Sequence, residues 1–353
     1  MQIIEENGTI LIKIIKPDNF HVHWRESQQF LYTMPWSAKQ FEHILIMPNI
    51  AQPLIDAEAI ETYGKVAESV RKKISADFLQ PHFTLYLTEQ TTPDNLIAAQ
   101  EKGMLAAKLY PANVTTNAVR GVANVRRLWH LFAWMEEHDV PLSVHGEVVA
   151  DKISVFDRER YFVENVFGDI ISDFPQLRVV LEHVSTKEGV QCVWKANSNV
   201  VATITPHHLL CNCNDLLCDG ISPNKFCYPI LNTPHDQEAL IAAAISGSPK
   251  FFLGTDSAPH PVYEKYCDGG CGGCLTEPYA MALYIEAFER AGALDKLENF
   301  ASVFGADFYK LEKRKSTICF VRKPQKIAKR IKIGIGIYGV PFMAEEMLQW
   351  SQA

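Results

Sequence analysis

Eight short apolar runs punctuate the chain, at Phe20–Trp24, His43–Asn49, Phe83–Thr88, Leu105–Tyr110, Pro141–Glu147, Val179–Val184, Val200–Thr205 and Phe251–Asp256. Runs this short and this apolar read as strands covered on both faces, the pattern of a parallel sheet. Between them lie stretches with helical character. In 122–138, Val125, Leu128, Phe132 and Met135 share one stripe, and an Ala/Leu/Ile-rich run over 236–246 follows Pro234. Strands alternating with helices imply βαβ units, and eight such units close into one (β/α)8 barrel of the TIM type. An open doubly wound sheet is the alternative, because strand order is not written in the sequence. At 353 residues the length alone would allow two domains. The count of eight favours one barrel domain over residues 1–353, with residues 320–353 as a C-terminal extension packed on it.

The polar residues sit at telling places in these runs. His21, His23, Asn49, Lys108, His145, His183 and Asp256 all lie at or near the C-terminal ends. In a barrel those ends open onto one face, where active sites form. His43 and His82 stand at the starts of their runs, on the opposite face. His21 and His23 are an i, i+2 pair, so both imidazoles point to one side of a strand. Neutral imidazole is the commonest metal ligand near neutral pH. An isolated HxH pair would mean little. With two more strand-end histidines and a strand-end aspartate, it implies a metal centre.

Lys108 is the odd member of the set. A cation beside two metal ions is strongly repelled. The charge conflict motivates the hypothesis that its neutral amine combines with carbon dioxide, giving a carbamate whose two oxygens can bridge two metals. Two divalent ions contribute +4, while Asp256, the carbamate and a bridging hydroxide contribute −3. The residual +1 suits an anionic substrate. Two ions about 3.5–4 Å apart can activate a water and polarise a carbonyl together. An aspartate bound through one oxygen could take the proton from that water and deliver it to a leaving nitrogen. The implied reaction is hydrolysis of an amide-like bond, or its reverse. Arg25, two residues past His23, can grip a carboxylate with a bidentate fork. Asn49 offers a second donor, and His260 lies in a loop four residues beyond Asp256.

Composition narrows the setting. The net charge of −7 offers no basic face for nucleic acid. Glu5 and Glu6 stand where a signal peptide needs basic residues, and no apolar run reaches the ~20 residues of a membrane span. Nine cysteines, an odd number, fit reduced thiols better than a disulfide framework. The expectation is a cytoplasmic protein acting on a small molecule, with neither nucleic acid nor membrane as partner.

The segments FHVHWRE, MPN, AAKLYPANVTTN, PLSVHGEV, LEHVSTK and FLGTDSAPH, in this order, resemble the bacterial single-chain dihydroorotases of the amidohydrolase superfamily. The similarity runs from about Lys16 to about Tyr309. It implies a zinc-dependent barrel that interconverts carbamoyl aspartate and dihydroorotate in pyrimidine biosynthesis. Carried over by motif, His21, His23 and Asp256 would hold one zinc, His145 and His183 the other, and carboxylated Lys108 would bridge them. Asp256 would be the general base and acid. Arg25, Asn49 and His260 would bind the substrate carboxylate with the backbone of Gly272, and the backbone of Leu231 would meet the ring. Thr115 and Thr116 would sit on a loop that closes over the substrate. A homodimer is implied as well. Two other readings stay open: a related cyclic amidohydrolase acting on a hydantoin or allantoin, and a catalytically silent homologue assembling with enzymes of the pathway.

Four further signals are set aside. Cys267, Cys271 and Cys274 cluster tightly but lack the paired CxxC spacing of a zinc ribbon, even with Cys211, Cys213 and Cys218 at hand. The literal GxGxxG at 334–339 has only fourteen residues after it, too few for a dinucleotide fold. The basic stretch 322–332 reads as a solvated edge strand. His207 and His208, which end the seventh run, are the runner-up ligands; with four histidines already placed, they read as supporting or packing residues.

Overall fold

The structure, a computed structural model, describes the chain apart from residues 7, 26, 313 and 314. Two antiparallel strands, β1 (Gln2–Glu6) and β2 (Thr9–Ile15), come first. Eight parallel strands follow: β3 (Asn19–Val22), β4 (His43–Ile46), β5 (Gln80–Tyr86), β6 (Met104–Leu109), β7 (Leu142–His145), β8 (Val179–Glu182), β9 (Val200–Ile204) and β10 (Phe251–Leu253). Each pairs with the next in chain order. Just beyond β10, the Asp256 amide donates to the His21 carbonyl (2.9 Å) and the His23 amide to the Ser257 carbonyl (3.1 Å), which closes the ring. The eight apolar runs are therefore the eight strands of a barrel and not of an open sheet.

Alternation along the strands explains how the site is held up. Phe20, Leu45, Met47, Ala106, Val180, Val201 and Phe252 form a cluster of their own with Ala306 and Tyr309. These are the side chains that fill the lower barrel. Two residues further along the same strands stand Asn49, Lys108, Glu182 and Thr203, so the period of two carries the inward face from apolar packing to chemistry. Gly254 falls between Phe252 and Asp256 on β10's inward row. A Cβ there would lie 2.8 Å from that of Thr203 and 3.0 Å from that of His21, so only glycine leaves room for the histidine.

Two helices refine the expectations. The helix Pro234–Ile245 begins at a capping box made by Thr233 and Asp236, with Pro234 in its first turn. The stripe over 122–138 instead splits into a 3₁₀ turn, Val125–Leu128, and a helix, Trp129–Glu137. Val122 cannot join because its amide bonds the Tyr110 carbonyl (2.8 Å), and the Asn124 side chain caps Arg126.

The tail differs from a solvated edge. Strand β11 (Thr317–Val321) pairs with β2 on one side and with β16 (Ser351–Gln352) on the other, giving a four-stranded antiparallel sheet shared by both ends of the chain. Between them come β12 (Gln325–Lys326), β13 (Ile331–Gly334), β14 (Ile337–Gly339) and β15 (Met347–Leu348). Ile327, Ile333, Leu348 and Trp350 are buried, so the tail is packed through its apolar residues while its lysines face outward. The GxGxxG glycines lie in the β13–β14 hairpin, with no helix to receive a phosphate. Among the described residues, no helix is long and apolar enough to cross a membrane.

Glu277 ties the barrel to the helix Phe30–Gln40. It accepts from Ser37 Oγ (2.6 Å), and its amide donates to Ser257 Oγ (2.9 Å). Burial pushes its carboxyl up to about 8. With the folded pKa above the unfolded one, the folded state holds the proton longer. Stability from this group is therefore greatest below the unfolded value of about 4.3 and is lost as pH rises toward 8. Glu277→Gln removes that dependence. We expect its melting temperature to exceed the parent's by a few degrees at pH 8, with a shallower decline from pH 5. Parallel melting curves across that range would contradict this.

Candidate metal centre at the mouth of the barrel

A cavity at the C-terminal ends of the strands is lined by His21, His23, Arg25, Asn49, Tyr110, Thr115, Thr116, His145, His183, Tyr228, Asp256 and Gly272, among others. His23 Nε2 lies 2.9 Å and His21 Nε2 3.4 Å from Asp256 Oδ1. One ligand atom from each of these three falls within 4.8 Å of the other two. The His183 ring centroid is 5.0 Å from that of His21 and 4.7 Å from that of His145. All four imidazoles, Lys108 and Asp256 are buried.

The local backbone explains this convergence. On β8, Val180 and Glu182 take the inward positions, so His183 would face away on a continued strand. A left-handed conformation at His183 (φ 42°) turns it back to the mouth. Asp256 (φ 45°) and Arg25 (φ 62°) share that strained region. Such conformations persist only where the surroundings over-determine them, and they gather at functional sites.

The electrostatics suit cations. Burial lowers the His23 imidazole to about 3 and holds those of His145 and His183 well below the ordinary value. All three imidazoles are neutral at pH 7. Burial would raise the Asp256 carboxyl. The hydrogen bond from His23 and the nearby His21 outweigh it, and the net shift is downward. Burial brings the Lys108 amine down to about 8, against the pull of Glu182 and Asp256. Lys108 Nζ and His183 Nδ1 are buried with no hydrogen-bond partner among the described residues. Partnerless nitrogens amid neutral imidazoles and a carboxylate fit a set of metal ligands.

Two acids support the histidines, and strand-end reasoning missed both. Glu182 accepts from His21 Nδ1 (2.8 Å) and from Thr203 Oγ1 (2.7 Å), fixing the tautomer that leaves Nε2 for an ion. Glu147 lies 2.7 Å from His145 Nε2, and burial pushes its carboxyl up to about 8. The signal was available, since Glu182 is a lone acid inside an otherwise apolar strand.

Arg25 brings a guanidinium to the same cavity. Arg25 donates to His260 Nε2 (2.7 Å) and to the Pro259 carbonyl (3.2 Å), while His260 Nδ1 faces Glu264 (3.4 Å). His260 thus braces Arg25 from outside the cavity. Asn49 accepts from Tyr110 Oη (2.9 Å) and donates to the Thr116 carbonyl (3.0 Å), which docks the loop carrying Thr115 and Thr116 over the cavity. Gly272 abuts the Tyr228 ring so closely that a Cβ would lie 2.3 Å from it. Leu231 departs from its expected place. It is fully buried in the main apolar core and does not line the cavity, which Tyr228 reaches instead. A cis Tyr228–Pro229 bond lies between the two residues.

No family model matches the chain. It is 46% identical over 341 residues to a dihydroorotase of Idiomarina loihiensis, covering 96% of this chain and 98% of that one. A dihydroorotase of Teredinibacter turnerae is 44% identical over 340 residues, with 96% and 98% covered. Among solved structures, a dihydroorotase of Campylobacter jejuni superposes with a TM-score of 0.88 at 29% identity, covering 99% of this chain and 98% of that one. An L-hydantoinase of Arthrobacter aurescens, at 15% identity and a TM-score of 0.76 over 98% of this chain and 83% of that one, shares the fold. The hydantoinase shares the fold alone, whereas the first two relatives are identical at nearly half of the aligned residues over 96% of this chain; this chain belongs to the dihydroorotase family.

Proposed function

We propose that this dihydroorotase works with two zinc ions, one held by His21, His23 and Asp256, the other by His145 and His183, with N6-carboxylated Lys108 between them. The observation that carries the reading is the Lys108 amine, buried near the end of β6 with no hydrogen-bond partner among the described residues, while four histidines, Asp256 and Arg25 line the cavity at the strand ends. When bound, the ions would supply Lewis acidity toward the amide carbonyl and lower the pKa of a water. The chain's own residues do the rest. Arg25 binds the carboxylate of dihydroorotate or carbamoyl aspartate, and His260 keeps its guanidinium aimed inward. Asp256 takes a proton as the ring opens and returns it to the departing nitrogen. Ring closure runs the same transfers backwards. Opening creates a second carboxylate and releases a proton, so higher pH favours hydrolysis and lower pH favours closure. Thr115 and Thr116, on the loop that Asn49 docks, cover the bound ring, with the Gly272 backbone on the far side. One barrel domain with its tail, a homodimeric assembly and a cytoplasmic location complete the reading.

The test is turnover of dihydroorotate against an unsubstituted hydantoin, on the parent and on Arg25→Met. A charge-assisted hydrogen bond contributes about 1.5–3 kcal/mol, so KM for dihydroorotate should rise about 10- to 100-fold in the variant with a smaller change in kcat. Hydantoin, lacking the carboxylate, should be insensitive. Turnover of hydantoin but not of dihydroorotate would favour the other cyclic amidohydrolases. Turnover of neither by metal-loaded protein would favour the silent homologue.

A further inference from the structure

Behind the Asp256 turn lies a second group of metal-capable side chains, distinct from the ligand set described above. His207, Cys227 and Cys274 are all buried, and one ligand atom from each lies within 4.8 Å of the other two. His207 is fully buried, and neither of its ring nitrogens has a hydrogen-bond partner among the described residues. Buried imidazoles ordinarily pair at least one nitrogen, because an unmet donor or acceptor forfeits its hydration without return. The adjacent His208 does so, bonding Thr205 Oγ1 (2.8 Å) and the Pro229 carbonyl (3.2 Å). His207 therefore stands apart from its neighbour, with two thiols in reach.

We propose that His207, Cys227 and Cys274 form a structural site for a thiophilic divalent ion, zinc by its ligand preference. In a tetrahedral zinc site, bonds of about 2.3 Å to sulfur and 2.0–2.1 Å to nitrogen put ligand atoms roughly 3.5–3.8 Å apart, and the three ligand atoms here all lie within 4.8 Å of one another. Binding displaces one proton from each thiol, and two thiolates with a neutral imidazole leave the ion with no net charge. That balance is what a dry interior requires. Cys211, four residues beyond His207, is buried as well but stands outside this group of three donors.

The site would join three segments that shape the substrate cavity. His207 is on the helix Pro206–Leu210 after β9, and Cys227 precedes Tyr228. Cys274 follows Gly272 and Gly273, and its carbonyl accepts from the Ala258 amide (2.8 Å), two residues past Asp256. Nearby, Lys265 Nζ donates to the carbonyls of Phe226 (3.0 Å), Cys271 (2.8 Å) and Gly273 (2.8 Å), so the same loops are already drawn together by a buried ammonium. An ion here would fix Tyr228 and Gly272 against the barrel without touching substrate.

Cobalt(II) loading of the full chain reads this site separately from the catalytic one, whose proposed ligands include no sulfur. We expect thiolate-to-cobalt charge-transfer absorption in the loaded wild type. It should survive in Cys267→Ser/Cys271→Ser and vanish in Cys227→Ser/Cys274→Ser, which should also bind one metal fewer per chain. X-ray absorption of the zinc protein should show sulfur scattering at about 2.3 Å. The variants lacking these thiols should keep kcat within a few-fold while KM rises several-fold. Absence of sulfur ligation in zinc- and cobalt-loaded wild type would overturn the proposal without requiring any variant to fold. So would charge-transfer absorption that persists once Cys227 and Cys274 are gone. Loss of dihydroorotate turnover alone would bear on the catalytic reading and not on this one.

Discussion

Asp256→Asn should lower kcat for ring opening of dihydroorotate by at least about 10³-fold. General acid–base catalysis by one positioned group contributes about 10²–10⁴-fold, and this carboxylate is also a proposed metal ligand. The substitution keeps size and shape but removes the charge and the basic oxygen. The structure makes the residue hard to replace functionally. Asp256 is buried, 2.9 Å from His23 Nε2, and held ionised by the histidines around it. Among the described residues, the other carboxylates near the cavity, Glu147 and Glu182, are already engaged by His145 and His21. Because the same group serves both directions, ring closure from carbamoyl aspartate should fall by the same factor. Steady-state assays in both directions, with metal content measured on the same preparation, check this. A variant that binds its full metal complement and keeps more than a tenth of kcat would remove Asp256 from the chemistry.

Much of this site was legible because its residues obey a simple period. Strand-end positions and the i, i+2 pair His21 and His23 are visible without coordinates, and so is the barrel that eight runs imply. What escaped has identifiable causes. His183 stands near the end of its run, yet only a left-handed backbone returns it to the cavity. Glu182 and Glu147 were passed over because attention to ligands leaves out the acids that orient them. Tyr228 and Leu231 lie three residues apart in an irregular loop, where no period says which one faces the cavity. The pairing of β2 with β11 joins residues some 300 positions apart, and nothing local in either strand announces its partner. His207 read as a packing residue because its unmet nitrogens become visible only when its surroundings are known.

Lys108→Ala should cost about as much as the aspartate change, by a different route. The Lys108 side chain is fully buried at the barrel's axis, its amine has no hydrogen-bond partner among the described residues, and burial brings its pKa down to about 8. An appreciable fraction of the amine is therefore neutral at working pH, the form that reacts with carbon dioxide. An unmodified ammonium at this place would repel the ions proposed for the four histidines and Asp256. A carbamate reverses that charge, so alanine should lose at least one ion per chain as well as turnover. Metal-centred stabilisation amounts to several kcal/mol, and about 1.4 kcal/mol is tenfold in rate, which sets the expected fall near 10³-fold. The truncation also leaves a cavity at a known place. Formate or acetate at millimolar concentration should enter it, restore part of the negative charge and recover some activity, whereas chloride at equal ionic strength should not. Wild-type protein stripped of metal should regain activity faster in bicarbonate than in buffer freed of carbon dioxide, and native mass spectrometry should find the mass of one carbon dioxide added per loaded chain. If Lys108→Ala keeps both its metal and its kcat, or if reconstitution ignores bicarbonate, the buried amine has another role and the two-ion bridge must be abandoned.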